Sequence, residues 1–171
     1  MERELGITGA VKLASNENPL GAGPHALAAL EGRLPLLARY PDGSGYTLKA
    51  SLATHLGVDS AQLTLGNGSN EVLEFVARVF AGPGDEIIYS AHCFVVYPLA
   101  AMVVGATPVE APARDYGHDL DAMAGRITEN TRVIYVANPN NPTGTWVEDE
   151  ALESFLQRVP PNVLVVLDEA Y

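Results

Sequence analysis

Short apolar runs alternate along the chain with stretches of helical periodicity. Runs rich in β-branched and other apolar residues predict strands at residues 63–65, 86–89, 107–110, 132–137 and 163–168. Between them, apolar residues spaced three and four apart predict helices at residues 69–80, 94–104, 120–127 and 148–157. Strands that alternate with helices favour an α/β fold with a mostly parallel sheet flanked by helices. For the first of these helices, the predicted buried face comprises Val72, Leu73, Val76 and either Val79 or Phe80.

The N-terminal part of the chain follows a different pattern. Turn-forming residues up to about residue 23 predict an extended arm. Proline is favoured at the first position of a helix, and apolar residues follow Pro24 at helical spacing. A helix is therefore predicted to begin there. After a loop at residues 40–45, a further helix is predicted from Tyr46 to Leu56, with Gly57 at its C-cap.

Composition narrows the classes of function. The 171 residues are 47% hydrophobic and carry a formal net charge of -11, which argues against nucleic acid or an anionic membrane as partner. The single cysteine, Cys93, excludes an internal disulfide and suits a reducing compartment. It follows His92, but no amide or acidic partner for a thiol nucleophile is evident. No signal peptide opens the chain and no apolar run approaches ~18 residues, so we expect a cytoplasmic protein. His25, His55 and His118 lie scattered in the sequence, with no second metal ligand at a useful spacing. We therefore expect them at surface or helix positions and expect no metal site.

A glycine-rich turn joins the first predicted strand to the helix that follows it. Gly66 and Gly68 would let the backbone approach an anion closely. Ser69 and Asn70 fall in the first helical turn, where free N–H groups and the helix dipole favour phosphate. The alternative is an ordinary helix start with Ser69 as N-cap. Glu71 stands where a dinucleotide-binding fingerprint requires its third glycine, so the turn does not match that fingerprint.

Two polar segments follow the last two predicted strands. Residues 138–144, Asn-Pro-Asn-Asn-Pro-Thr-Gly, come after the strand at 132–137, and residues 168–171, Asp-Glu-Ala-Tyr, come at the end of the final strand. The carboxyl ends of parallel strands are where α/β sheets place their ligands. We therefore expect a ligand site at this edge, while the alternative for Asp168 is an acid that caps the next turn.

Together these segments resemble the pyridoxal-phosphate-dependent aminotransferases of fold type I. The resemblance implies an incomplete large domain of that fold, preceded by an N-terminal arm, and pyridoxal 5'-phosphate (PLP) as cofactor. The residues that it assigns to PLP are Gly68, Ser69, Asn70, Phe94, Asn141, Asp168 and Tyr171, together with Tyr40, which would reach the cofactor of the partner subunit. It also assigns the catalytic roles in this chain to Asp168 and Tyr171.

Each of these assignments implies a role. The turn before the helix at 69–80 would hold the phosphate, and Phe94 would stack on the ring. Asn141 and Tyr171 would hydrogen-bond the phenolic oxygen O3′ of the cofactor, and the resemblance also implies that the peptide preceding Asn141 is cis. Asp168 would keep the pyridine nitrogen protonated, so that the ring accepts electrons from the substrate Cα.

The N-terminal arm narrows the resemblance to the histidinol-phosphate aminotransferases. Residues 13–21 and the Tyr-Pro-Asp that begins at Tyr40 match that branch, and the resemblance places Asn16 and Leu20 near the substrate. It implies a homodimer that exchanges an amino group between histidinol phosphate and 2-oxoglutarate in histidine biosynthesis. Leu20 occupies a position where some relatives carry tyrosine. An aminotransferase for aromatic amino acids and a PLP lyase for threonine phosphate therefore stay open as alternatives.

The resemblance also implies two parts of the chain, and it implies that the lysine that binds PLP is not among these residues. Residues 1–45 would form the arm and first helix, and residues 46–171 the N-terminal part of the large PLP-binding domain, without the rest of that domain or the C-terminal small domain. In the family, the lysine that binds PLP covalently follows the Asp-Glu-Ala-Tyr motif, whereas Lys12 and Lys49 lie in no matching motif. The alternative is a polypeptide that is no enzyme as it stands. We expect the 171 residues alone to lack transaminase activity.

Overall fold

The computed structural model describes residues 2–13 and 15–171. Contacts between residues divide the chain into two units, of which the first ends at Leu52 and the second spans Ala53–Tyr171. Within the described ranges, no helix combines the length and apolar character that a membrane span requires.

The first unit is built from short helices without buried residues. Helix α1 spans Glu2–Leu5, so the prediction of a wholly extended arm is wrong there; two acidic residues in its first turn suit the positive end of the helix dipole. Helix α2 spans Pro24–Glu31 and begins at proline, as predicted. Helix α3 spans Tyr46–Leu56 and crosses the boundary between the units. Gly57, with φ of 70°, donates its N–H to the carbonyl of Ala53, which confirms the predicted C-cap.

A four-stranded parallel sheet organises the second unit. Its strands are β1 (Glu86–Ser90), β2 (Thr107–Ala111), β5 (Thr131–Ala137) and β6 (Leu164–Asp168), and their order across the sheet is β2-β1-β5-β6. Each neighbouring pair is parallel, which confirms the predicted α/β class. Between β2 and β5 the chain forms a small, separate antiparallel hairpin of β3 (Ala113–Arg114) and β4 (Gly117–His118).

Helices cover both faces of this sheet because neighbouring strand residues point to opposite sides. They are α4 (Ser69–Phe80), α5 (Val96–Val103), α6 (Leu120–Ala124) and α7 (Asp149–Leu156). Helices α4 and α5 share one apolar cluster with the sheet, formed by Leu73, Ala77, Ile87, Tyr89, Tyr97, Ala100, Ala101, Val133 and Tyr135. Helices α6 and α7 share the other, formed by Ile88, Leu120, Met123, Ile134, Val136 and Phe155.

Several local predictions are wrong. Residues 63–65 are not a strand; a 3₁₀ turn at Ser60–Gln62, stabilised by a capping box from Asp59, precedes them. Along α4, Val79 and Phe80 are 73% and 49% exposed, and Ala77 takes the buried position instead. Helices α5, α6 and α7 begin or end one to three residues inside their predicted limits, where helix ends commonly fray.

The parallel arrangement brings three chain segments to one edge of the sheet. Strands β1, β5 and β6 end at Ser90, Ala137 and Asp168, and Ala137 pairs with Asp168 in the register of the sheet. The loops that leave these strands therefore begin side by side. This edge holds the candidate site.

Candidate functional site

A cavity of about 150 Å³ lies at the carboxyl edge of the sheet. Its walls are Ser69, Asn70, Phe94, Ala137, Pro139, Asn141, Asp168, Ala170 and Tyr171. The sequence had singled out Ser69, Asn70, Phe94, Asn141, Asp168 and Tyr171, which come from four separate segments of the chain. Because all belong to the second unit, the folding of that unit brings them together.

The turn before α4 has the form of an anion-binding site. Gly68 is the N-cap residue, and its φ of 76° with ψ of 177° lies in a region that is essentially restricted to glycine. No side chain caps the helix, so the alternative in which Ser69 is an ordinary N-cap is wrong. The first-turn N–H groups of Ser69 and Asn70 thus stay available at the positive end of a twelve-residue helix.

The Glu71 carboxylate stabilises this turn through two hydrogen bonds. Its Oε2 accepts the backbone N–H of Asn67 at 2.7 Å and the Asn67 side-chain amide at 3.1 Å. Gly66, the other glycine of the turn, packs closely against helix α4. A Cβ at Gly66 would lie 2.8 Å from Val72 Cγ2, so a side chain there would clash with the helix. The glycine pattern therefore serves two purposes, a tight fold at Gly66 and a special backbone conformation at Gly68.

Asp168 presents its carboxylate to the cavity with both oxygens engaged by the protein. Its Oδ2 accepts a hydrogen bond from the hydroxyl of Tyr97 at 2.8 Å, and its Oδ1 accepts the N–H of Ala170 at 3.2 Å. The second bond is local, but residues 169–171 form no turn, so the alternative in which Asp168 caps the next turn is wrong. The first bond joins the carboxylate to helix α5.

Two stacked tyrosines support that carboxylate. The rings of Tyr97 and Tyr135 are both fully buried and lie 4.9 Å apart at an angle of 8°. The Tyr135 hydroxyl donates to the carbonyl of Leu73 at 2.8 Å. Burial raises the pKa of both phenols, and the hydrogen bond to Asp168 raises the pKa of Tyr97 further. Tyr97 is therefore a protonated donor. Sequence reasoning missed it because no local pattern links it to an acid 71 residues away.

Phe94 stands in the loop between β1 and α5. Its ring meets Tyr97 edge to face, with ring centroids 6.1 Å apart at 89°. The neighbouring Cys93 is part-buried, and burial raises the pKa of its thiol to about 12. A thiol that stays protonated is a weak nucleophile, which agrees with the sequence-based argument against nucleophilic chemistry at Cys93.

The loop at 138–144 uses two of its three asparagines to hold its own shape. Asn138 exchanges two hydrogen bonds with the backbone of Val147, at 2.9 and 2.8 Å. The Asn140 amide donates to the carbonyl of His92 at 3.1 Å, which ties the loop to the segment that carries Phe94. Only Asn141 of the three lines the cavity, and its amide lies 3.5 Å from the hydroxyl of Tyr171. The cis peptides of this loop are Asn138–Pro139 and Asn141–Pro142, so the expectation of a cis peptide preceding Asn141 is wrong: the cis bond follows Asn141.

Other residues picked out from the sequence lie away from this arrangement or outside its unit. Asn16, Leu20 and Tyr40 belong to the first unit, where Leu20 is 91% exposed and Tyr40 wholly exposed. Their roles toward substrate and partner subunit stay predictions. The prediction that His118 lies at the surface or in a helix is wrong. It is a part-buried residue of β4, and its Nε2 lies 2.8 Å from the carbonyl oxygen of Ala137. Within the described ranges, no cluster of His, Cys, Asp and Glu could hold a metal ion.

Comparison with known proteins agrees with this geometry. The sequence profile of the family described as aminotransferase class I and II matches residues 8–171. Histidinol-phosphate aminotransferase 2 of Ralstonia nicotianae is 59% identical over 99% of this chain and 46% of its own length. Histidinol-phosphate aminotransferase 1 of Idiomarina loihiensis is 56% identical over the whole chain and 47% of its own length. The chain thus spans about half the length of the curated relatives it matches.

A solved structure has the same fold. The crystal structure of histidinol-phosphate aminotransferase from Sinorhizobium meliloti, in complex with pyridoxal-5'-phosphate, superimposes with a TM-score of 0.90 at 31% identity. It covers 98% of this chain, and the match takes up 46% of that structure's chain.

Proposed function

Because this chain belongs to the class I and II aminotransferases, we propose that it is part of a PLP-dependent histidinol-phosphate aminotransferase. The proposed reaction moves an amino group between histidinol phosphate and 2-oxoglutarate in histidine biosynthesis. The identity of 56% and 59% to relatives that carry this name supports the choice of substrate. The observation that carries the proposal is a cavity at which an uncapped helix N-terminus, an aromatic ring and a fixed carboxylate meet.

The side chains around the cavity fit PLP by their chemistry. The cofactor combines a phosphate, an aromatic ring with a basic nitrogen, and a phenolic oxygen. The first turn of α4 offers N–H groups to the phosphate, and Phe94 offers a ring face. Asp168 offers an anion to the ring nitrogen, while Asn141 and Tyr171 offer an amide and a hydroxyl to the phenolic oxygen. The phosphate, the ring nitrogen and the phenolic oxygen therefore each have a partner of suitable chemistry among the lining residues.

When bound, PLP supplies an electron-accepting ring for bonds at the substrate Cα. The chain's own contribution is to bind the cofactor and to hold one proton. Asp168 is the acceptor that holds a proton on the ring nitrogen, and it is kept in one orientation by hydrogen bonds from Tyr97 and Ala170. The α4 N-terminus and Phe94 orient the cofactor about that contact.

The remaining features of the proposed enzyme rest on the resemblance alone. We propose a homodimer in which Tyr40 reaches the cofactor of the other subunit, with Asn16 and Leu20 of the arm near the substrate. Residues 1–45 would serve as arm and dimer contact, and residues 46–171 as the N-terminal part of the large domain. A cytoplasmic location suits the single cysteine, which needs no oxidising compartment.

Substrate preference tests the proposal. The protein as encoded by its gene, loaded with PLP, should transfer the amino group of histidinol phosphate to 2-oxoglutarate with a higher kcat/KM than that of phenylalanine or tyrosine. Coupled detection of glutamate measures the rate for each donor. A preference for the aromatic amino acids would replace histidinol phosphate as substrate while retaining the aminotransferase, and no amino transfer with any donor would contradict the proposed reaction.

Asp168 tests the assignment of the site itself. Asp168→Ala removes the anion that would hold the proton on the ring nitrogen, so turnover should fall on the order of a hundredfold or more. The cofactor should still co-elute with the variant in gel filtration, because the α4 N-terminus and Phe94 are unchanged. Unaltered kinetics in the variant would remove Asp168 from its proposed role.

A further inference from the structure

Tyr97 joins two distant parts of the fold at the candidate site. It lies in the first turn of α5, whereas Asp168 ends β6, and the hydroxyl of Tyr97 donates to Asp168 Oδ2 across a separation of 71 residues at 2.8 Å. The Tyr97 ring is fully buried, stacked on Tyr135 on one side and met edge to face by Phe94. Packing therefore fixes the position of the hydroxyl independently of the carboxylate.

We propose that Tyr97 is a positioning residue for the ring nitrogen of the cofactor, acting through Asp168. The inference rests on the proposed function and deepens it. The Tyr97 hydroxyl holds the Asp168 carboxylate in one orientation. Each carboxylate oxygen can accept more than one hydrogen bond, so Oδ1 and Oδ2 keep capacity for the protonated ring nitrogen after accepting from Ala170 and Tyr97.

The direction of this hydrogen bond follows from the environment of the phenol. Burial raises the pKa of Tyr97, and the neighbouring Asp168 raises it further, so the proton stays on the phenol. Loss of the hydroxyl would leave one carboxylate oxygen beside an apolar ring. Without that hydrogen bond, the Asp168 carboxylate is free to turn away from the cavity.

The structure offers a matched control in Tyr135. Both tyrosines are fully buried, both are stacked on each other, and both donate one hydrogen bond of 2.8 Å. The Tyr135 hydroxyl bonds the carbonyl of Leu73, and its ring supports Tyr97 without a bond to Asp168. Tyr97→Phe and Tyr135→Phe thus make the same chemical change, but only the first removes a contact to the carboxylate.

The experiment measures noncovalent affinity rather than turnover. The protein as encoded, freed of cofactor, is titrated with pyridoxamine phosphate and with its analogue in which carbon replaces the ring nitrogen. Tyr97→Phe should weaken binding of pyridoxamine phosphate about tenfold or more, the usual effect of a hydrogen bond to a charged group. Its effect on the carbon analogue should be much smaller, because that ligand has no nitrogen for Asp168. Tyr135→Phe should leave the ratio of the two affinities unchanged.

Distinct outcomes separate this inference from the proposed function. An equal loss for both ligands, or no loss for either, would overturn the role of Tyr97 while leaving the site in place. A parent protein that binds neither ligand would instead overturn the proposed function, and the inference with it. If Tyr97→Phe fails to fold, 3-fluorotyrosine at position 97 keeps the size of the ring and makes the phenol a stronger donor. The affinity ratio should then change, and an unchanged ratio would overturn the inference.

Discussion

Gly68 controls the backbone at the point where the chain enters α4. Its φ of 76° and ψ of 177° suit glycine alone, and a Cβ built there meets nothing within 4 Å. Gly68→Ala should therefore cost about 1–3 kcal/mol of backbone strain, with no steric clash. We expect lower stability in urea and weaker binding of PLP. Gly82→Ala is the control, since its Cβ also meets nothing but its backbone is not in the positive-φ region. Equal effects of the two substitutions would contradict the strain argument.

His118 gives the folded protein a dependence on pH. Burial lowers its pKa from the ordinary value of 6.5, and its Nδ1 is buried without a hydrogen-bond partner. The unfolded chain therefore takes up a proton first, so stability is fully present above pH 6.5 and falls as the pH drops toward the lowered value. Urea unfolding on both sides of pH 6.5 should reveal this loss, and His118→Gln should reduce it. The same substitution at the exposed His25 should leave the loss intact; if it removes the loss, the assignment to His118 is wrong.

At the scale of single residues, sequence reasoning found the cavity side chains that belong to motifs. Asn141, Asp168 and Phe94 were assigned because their segments resemble the motifs of a known family, and Asn141 and Asp168 also lie at the carboxyl ends of predicted strands. Tyr97 was missed, because its contact with Asp168 depends on how α5 packs on the sheet rather than on any local spacing. The buried position of His118 was missed for the same reason, since the hairpin that carries it was not predicted.

Helix α3 depends on a carboxylate that precedes it. Asp42 accepts the backbone N–H of Ser44 at 3.0 Å and that of Tyr46, the first helical residue, at 2.9 Å. These bonds, with the Ser44 hydroxyl, lower the pKa of Asp42 from 3.8. Asp42→Ala should fray the first turn, seen as faster hydrogen exchange at the amide of Tyr46. Ser44→Ala should have a smaller effect, because the bond to Tyr46 remains.

The same helix should respond to acid. Because the pKa of Asp42 is lowered in the folded chain, its stabilising effect is present above 3.8 and is lost as the pH falls through the lowered value. The protection of the Tyr46 amide should decline over that range in the parent protein and be low throughout in Asp42→Ala. A Tyr46 amide that exchanges equally fast in both proteins at neutral pH would contradict the capping role.

At the scale of elements, the sequence pattern predicted helices with a regular apolar stripe correctly. It failed for strands whose formation depends on pairing with another strand. Helix α4 has the predicted limits, because a strong apolar stripe and a glycine turn define it. The strand predicted at 63–65 did not form, since an apolar run becomes a strand only where another strand pairs with it. The β3–β4 hairpin was overlooked because its turn residues, Asp115 and Tyr116, have positive φ without the glycine that normally signals such a turn.

At the scale of the whole molecule, alternation of strands and helices was enough to predict the parallel sheet, but not its order β2-β1-β5-β6. The order depends on which helix covers which face, and periodicity does not contain that information. Helices α4 and α5 also keep apolar side chains exposed, with Val79 at 73% and Met102 at 60%. Contiguous exposed apolar surface favours association, so the isolated polypeptide is expected to be prone to aggregation.

The final prediction concerns the 171 residues as a separate polypeptide. Amino transfer needs a group that binds the cofactor covalently and a base that moves the proton at the substrate Cα, and in the resembling family one lysine does both. The lysines of these 171 residues are Lys12, which pairs with Glu17, and Lys49, and both lie in the first unit outside any matching motif. The purified polypeptide should therefore form no glutamate-dependent product in the coupled assay.

Binding and turnover should separate in that polypeptide. The residues that line the cavity are all present, so it should retain weak affinity for pyridoxamine phosphate, and Asp168→Asn should reduce that affinity because the anion is lost. Titration followed by fluorescence measures the binding, and the protein as encoded serves as the active control. Measurable turnover by the polypeptide would mean that a group other than a motif lysine moves the proton.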